Sequence, residues 1–320
     1  MKFRTEVDIP FSDKEIQIED GVFTIGSCFA SEIAEKLSKG QLKTMDNPFG
    51  TLFNPYSINE AIKKIHDAYV YTEDDLICYD SEYISLDHHT SFNRRYPHQA
   101  LEGINDSLQK ANQFLQKAKW VIITYGSSFI YEFTPKNRLV ANCHKIPQKF
   151  FNKRMLLDGE LVMSISNTIE AIRDIAPAGV QILLTISPVR HTREGMVENM
   201  WSKARLINAV HGATLGRQDV TYLPIYELMM DDLRDYRFYK EDMIHPSPQA
   251  VNYIFEKFGS AYFSDETKDF ITENYKILQA LNHKTDDEKD PRYVAFREKV
   301  NQKIAQQQAK VKHKIFADYL

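Results

Sequence analysis

Gly21-Val-Phe-Thr-Ile-Gly-Ser-Cys-Phe-Ala30, continued by Ser31-Glu-Ile-Ala-Glu-Lys-Leu37, changes its hydrophobic period midway. Val22, Phe23 and Ile25 read as a short apolar strand. Ile33, Ala34 and Leu37 then recur at helical spacing, so the period passes from 2 to 3.6 at Gly26-Ser27-Cys28. A strand entering a helix through Gly-Ser-Cys sets Ser27 and Cys28 at the helix N-terminus. The unpaired N–H groups and positive dipole end there hold an anion or favour a thiolate. The plainer meaning of the same residues is an N-cap serine followed by a small buried cysteine.

Outward from this stretch, strands and amphipathic helices alternate. Met45 to Tyr56 carries Pro48, Gly50 and Pro55 and cannot be regular helix. Ser57 is expected to cap a helix running to about Tyr69, with Ile58, Ala61, Ile62 and Ile65 on one face. Residues 71–98 show no clear period. A second helix spans roughly Gln99–Ala118, and Trp120-Val-Ile-Ile-Thr124 reads as a buried strand. A helix around Asn167–Ile175, a buried strand Val180–Ile186, a helix Val197–Ala213 and a short strand Val220–Leu223 follow. The last helix of this series, Pro248 to Phe258, has Ser247 as its cap. Strands separated by helical crossovers predict an α/β fold: a three-layer, doubly wound, mostly parallel sheet. Ligands in such sheets sit at the carboxyl ends of the strands.

The chain of 320 residues, 43% hydrophobic and 26% charged with a net charge of -4, is soluble globular in composition and gives no footprint for nucleic acid. No run reaches membrane-spanning length and the N-terminus lacks the apolar core of a secretory signal. Cys28, Cys78 and Cys143 are too few and scattered for a disulfide framework or a zinc spacing. A cytoplasmic protein with reduced thiols, no membrane partner, and neither cofactor nor metal is the expectation.

At the carboxyl ends lie Gly26-Ser27-Cys28, Tyr125-Gly126-Ser127-Ser128 and Ser187-Pro-Val-Arg190. Asp242-Met-Ile-His245 stands in the loop before the last helix. Its i, i+3 spacing lets the carboxylate hold one imidazole nitrogen while the other faces a nucleophile, the orienting role of an acid in a triad. Joined to a strand–Gly-Ser-Cys–helix start, this pattern points to nucleophilic catalysis.

These segments resemble the GSCFA family of the SGNH (GDSL-type) hydrolase superfamily. The agreeing motifs are Gly26-Ser-Cys-Phe-Ala30, Asn47-Pro-Phe-Gly-Thr51 with Asn54-Pro55, Val140-Ala-Asn-Cys-His-Lys145, Ser187-Pro-Val-Arg190, and Leu233-Arg-Asp-Tyr-Arg-Phe-Tyr239 leading to Asp242-Met-Ile-His-Pro246. The resemblance implies an SGNH-hydrolase or flavodoxin-like fold. Its Gly-Asp-Ser block, laid on Gly26-Ser27-Cys28, puts Cys28 at the nucleophile, with Ser27 one residue earlier as the alternative. It implies His245 as base, Asp242 as its partner, and the Gly50 N–H as an oxyanion donor. The superfamily's Gly-x-Asn block departs here to Gly126-Ser127-Ser128, so its oxyanion asparagine is absent. Loss of one such donor costs on the order of 2.7–4 kcal/mol. Ser128, or Asn142 or His144 from the next motif, are the candidates to replace it.

Arg190 and Arg237 are candidates for a substrate carboxylate or phosphate, or for structural pairing with Asp231, Asp232 or Asp235. Asp87-His88-His89 reads as a surface loop rather than a metal site, and Trp201 as a core residue. Residues 1–283 are expected to form the α/β domain. Residues 284–320 are expected to be a charged linker, Lys284–Pro291, and an amphipathic helix over Arg292–Tyr319. Its stripe of Phe296, Val300, Ile304, Val311 and Ile315 would pack on the domain or join a second copy. Two functions stay open: a hydrolase or acyltransferase acting on a small-molecule or glycan ester, such as an O-acyl carbohydrate, and a binding protein on the same scaffold.

Overall fold

The computed structural model describes residues 5–283 and 290–317. β1 (Val22–Gly26) leads into α1 (Cys28–Lys39), β2 (Thr44–Asp46) and α2 (Pro55–His66). A hairpin of β3 (Ile77–Tyr79) and β4 (Glu82–Ile84) precedes α3 (Pro97–Leu115) and β5 (Trp120–Tyr125). Next come β6 (Phe129–Phe133), β7 (Arg138–Val140) and β8 (Phe151–Met155), an antiparallel sheet of its own in the order β7-β6-β8. α4 (Asp158–Ile175), β9 (Gln181–Ile186), α5 (Met196–Thr214), β10 (Val220–Tyr222) and the single turn α6 (Ile225–Glu227) follow. α7 (Pro248–Tyr262), α8 (Asp265–Leu281) and α9 (Pro291–Gln308) complete the described chain.

The central sheet runs β10-β9-β5-β1-β2, every pair parallel. Parallel strands covered on both faces must be apolar on both, which is why β1, β5 and β9 are buried at every position. Phe23, Ile25, Val121, Ile123, Ile182 and Leu184 face one core with α2, α3, α4 and α5. Val22, Trp120, Ile122 and Leu183 face the other with α1, α7, α8 and α9. This is the doubly wound α/β arrangement expected. From β1 the chain crosses to β2 on one side and then to β5 on the other. The crevice at the carboxyl ends of β1 and β5 is therefore the topological switch point, where such sheets bind ligands.

Three local expectations change. The cap of α2 is Asn54, not Ser57: its Oδ1 accepts from the Ser57 N–H at 2.8 Å, and Pro55 takes the first helical position, where no N–H is needed. Trp201 is 59% exposed rather than core, because α5 turns Ser202, Lys203, Leu206 and Val210 inward. The helical stripe expected to Tyr319 stops at Gln308. Beyond it Gln308 donates to the carbonyls of Val311 at 3.1 Å and His313 at 2.8 Å, so a side chain replaces the helical ladder. Val300, Ile304, Val311, Ile315 and Phe316 nonetheless pack into the core of α1, α7 and α8. Of the expected linker and helix, residues 284–289 and 318–320 lie outside the described residues.

Candidate active site

Gly26 makes the strand-to-helix turn with φ +138°, and a Cβ there would lie 2.2 Å from the Thr124 carbonyl oxygen. Only glycine fits so close to the neighbouring strand. Its N–H is held by Asn47 Oδ1 at 2.7 Å, which ties the loop after β2 to the end of β1. Ser27 is 1% exposed and spends its Oγ on the Phe29 N–H at 3.3 Å, as the cap of α1. Cys28, first residue of α1, lines a cleft of about 670 Å³ together with His245. Of the two nucleophile candidates, Cys28 is the one that reaches this space; Ser27 is a capping residue.

Asp242 and His245 form a braced pair. Oδ1 accepts from the backbone N–H of Ile244 at 2.8 Å and of His245 at 3.0 Å, while Oδ2 lies 2.7 Å from His245 Nδ1. These hydrogen bonds hold the Asp242 carboxyl well below the usual carboxylate range. Nδ1 is thereby the donor to Asp242, leaving Nε2 as the acceptor nitrogen on the other side of the ring. The loop is pinned from β9: the Arg190 N–H donates to the Ile244 carbonyl at 3.1 Å and its guanidinium to the Met243 carbonyl at 3.0 Å. The same guanidinium lies over the rings of Tyr236 and Tyr239. Arg190 lines the cleft, but its geometry is that of a residue holding the histidine loop. Arg237 pairs with Asp235 at 3.6 Å.

The oxyanion candidates divide. The Gly50 N–H is already donated to the Asn47 carbonyl at 2.6 Å, in a turn where Gly50 has φ +73°. Gly126 and Ser127 both donate their N–H to the Phe53 carbonyl, at 2.7 and 2.9 Å. Ser128 is 0% exposed, with its N–H and Oγ on Ser202 Oγ at 2.8 and 3.0 Å, away from the cleft. Asn142 and His144 do line it; Asn142 Oδ1 takes the His144 N–H at 2.9 Å, and His144 Nε2 meets the Ser85 carbonyl at 2.7 Å.

Several residues of the site carry no sequence signal strong enough to select them. Lys203, fully buried, donates to the carbonyls of Gly126 and Ser187, both at 2.7 Å, clamping the ends of β5 and β9. Burial pushes its ammonium down to about 7. His191 stands edge-on to Phe53 and, with its Nε2 close above Gly126, is pushed down to about 3 by burial and by Lys203. Asn54 lines the same cleft as Cys28, and assigning the cap of α2 to Ser57 left it without a role.

Asp87-His88-His89 is not a surface loop. His88 is 1% exposed and stacks on Phe49 with ring centroids 4.4 Å apart, while Asp87 is paired with Lys64 and Arg138. Among the described residues no cluster of three or more His, Cys, Asp or Glu is arranged to hold a metal ion. None of their helices is long and apolar enough to cross a membrane.

Among solved structures, the chain is similar to a carbohydrate esterase family 3 protein from Talaromyces cellulolyticus, with 10% identity and TM-score 0.35 over 79% of this chain and 99% of that one. An acetyl esterase mutant with acetate ion gives 10% identity and TM-score 0.36 over 79% and 99%. A DUF4886 family protein from Bacteroides uniformis ATCC 8492 gives 10% and 0.40 over 83% and 97%. No curated protein matches. The GSCFA family profile matches residues 21–258, from the start of β1 into α7 and so across both halves of the cleft, and the chain belongs to the GSCFA family.

Proposed function

We propose that this chain is an esterase-like hydrolase or acyltransferase of the SGNH type. Cys28 attacks an ester carbonyl, His245 carries the proton and Asp242 orients His245. The observation that carries this is one cleft lined by both Cys28, at the N-terminus of α1, and the Asp242-braced imidazole. In the proposed cycle the thiol proton passes to His245 Nε2 as the sulfur–carbon bond forms. The tetrahedral adduct expels the alcohol, which takes that proton, leaving a thioester on Cys28. Water deprotonated by His245 then attacks; the acid leaves and the sulfur regains its proton. An acceptor hydroxyl in place of water gives acyl transfer instead.

Burial pushes the Cys28 thiol up from its ordinary value, against its own backbone N–H and the Thr51 side chain, which pull it down. The resting group at neutral pH is the thiol, so the base must remove the proton during attack. The cleft has the size of a small-molecule site and far exceeds an acetyl group. Phe53, Phe129 and Tyr131 supply flat apolar wall and Asn142, Gln148 and Lys145 supply polar groups, a mixture suited to an O-acylated sugar or related metabolite. With Cys28, Cys78 and Cys143 all free, we place the protein in the cytoplasm.

The test is intact-mass labelling by an activated ester and by iodoacetamide, across pH, on wild type and on Cys28→Ala, Ser27→Ala and His245→Ala. Acylation at neutral pH should vanish in Cys28→Ala and slow in His245→Ala, while Ser27→Ala keeps it. Alkylation should climb with pH through the raised thiol range. If no variant differs from wild type, the scaffold binds rather than turns over its ligand.

A further inference from the structure

We propose that the side-chain amide of Asn54 is an oxyanion donor of this site, in place of the asparagine that Gly126-Ser127-Ser128 lacks; this rests on the Cys28 chemistry above. The segment carrying it passes directly over the strand-to-helix turn. The Thr51 side chain interacts with the Cys28 thiol, the Leu52 N–H donates to the Gly26 carbonyl at 2.8 Å, and the Phe53 carbonyl takes both Gly126 and Ser127 N–H groups. Asn54, next in line, is 5% exposed and lines the cleft with Cys28.

The orientation of its amide follows from the helix it caps. Ser57 offers an N–H, so the atom 2.8 Å away must be the carbonyl oxygen. What Asn54 has left for the cleft is therefore its NH₂ group. Among the described residues that nitrogen makes no hydrogen bond, although the residue is almost wholly buried. The nitrogen is not one of the fully buried polar atoms left without a partner, so it stands open at the cleft wall, where an acceptor can reach it. The neighbouring backbone donors are spent: Gly50 on Asn47, Gly126 and Ser127 on Phe53, Ser128 on Ser202. The Cys28 N–H, at the first helical position, has no intrahelical acceptor; in the resting site it lies toward its own sulfur, and on this proposal it serves the oxyanion as the second donor as the sulfur is acylated. Two N–H groups on one cleft, one from a helix N-terminus and one from a side chain fixed by a cap, are the kind of donors a developing oxyanion needs.

Asn54→Asp and Asn54→Ser separate the cap from the donor: all three residues cap helices about equally well, Asp carries no N–H, and Ser holds its single oxygen on the Ser57 N–H with nothing where the amide nitrogen stood. The rate of Cys28 acylation by p-nitrophenyl acetate, read by nitrophenolate release and intact mass, builds an oxyanion. Alkylation by iodoacetamide, a displacement at saturated carbon, builds none. Asn54→Ser should acylate about 10²–10³-fold more slowly than wild type, with alkylation within about twofold and an unchanged melting temperature. Asn54→Asp, isosteric but without the N–H, should acylate as slowly or more so. Wild-type acylation in Asn54→Ser would overturn the proposal, leaving Asn54 as a cap. Equal slowing of acylation and alkylation would overturn it too, since the residue would then be acting on the thiol. If the wild-type chain is alkylated but never acylated at Cys28, the parent chemistry fails and this inference with it.

Discussion

Asp242→Asn tests the base without disturbing the loop that carries it. In the native chain Oδ1 accepts two backbone N–H groups, of Ile244 at 2.8 Å and His245 at 3.0 Å, and Oδ2 faces His245 Nδ1 at 2.7 Å. An asparagine keeps the first two through its carbonyl oxygen, so the turn should hold. Its NH₂ then replaces Oδ2 and donates to Nδ1, which must give up its proton. The imidazole proton moves to Nε2, and a protonated Nε2 cannot accept from Cys28. In a serine triad, this amide-for-acid exchange costs about 10⁴-fold in turnover. Here the Asp242 side chain is 44% exposed, so water competes for Nδ1 and the loss should fall nearer 10³-fold. The assay is the rate of Cys28 acylation by an activated ester between pH 6 and 10, with thermal melting as control. The variant should melt with the wild type, acylate about 10³-fold more slowly at pH 7, and regain rate with rising pH as hydroxide supplies the thiolate without a base. A variant that acylates within about fivefold of wild type at pH 7 would refute the base assignment. A melting temperature that collapses would refute the claim that two of the three hydrogen bonds survive.

Two further predictions concern stability. Gly26→Ala sets a methyl 2.2 Å from the Thr124 carbonyl oxygen at φ +138°, and should destabilise the chain by at least about 3 kcal/mol; a urea midpoint equal to wild type would remove the steric account of this turn. His88, hydrogen-bonded to Ser85 Oγ at 2.9 Å, is pushed down to about 3 by burial. From pH 6.5 to 4 the unfolded chain therefore binds a proton that folded His88 refuses, and stability falls as the pH falls, by about 3 kcal/mol over that window. His88→Gln should lose less stability between those pH values than wild type in urea titrations, and equal losses would show that His88 does not drive acid lability.

The strands and the pairing within the Asp242–His245 loop were legible because local rules decide them. Buried parallel strands must be apolar on both faces, so Trp120–Thr124 and Val180–Ile186 announce themselves without tertiary help. Asp242 and His245 meet within one turn of chain, so spacing alone brings carboxylate and imidazole together. α5 was harder. Its inward face carries Ser202, whose Oγ accepts from the Ser128 N–H, and Lys203, which donates to the Gly126 and Ser187 carbonyls, all of them groups on other elements of the fold. A hydrophobic pattern cannot anticipate a buried lysine, and the stripe rule assigned Trp201 to the core in its place. His88 failed for the same reason: its burial depends on Phe49 and Tyr71, brought from distant segments.

The misplaced cap of α2 bears most directly on function. With Ser57 as the cap, Asn54 is a loop residue of no stated role, and the missing Gly-x-Asn asparagine has to be sought downstream among Ser128, Asn142 and His144. Moving the cap three residues back changes the accounting. Pro55 at the first helical position makes Asn54 the cap, and the cap fixes its carbonyl oxygen on the helix. An amide held by its oxygen presents its nitrogen, and this one is presented to the cleft of Cys28. On the reading proposed above, one side chain both starts a helix and arms a site. On that reading the coupling lets the chain carry Gly126-Ser127-Ser128 and still keep a rigid donor. It also sets the condition for the idea: the amide must lose its effect on acylation when its nitrogen is removed and its capping oxygen is kept.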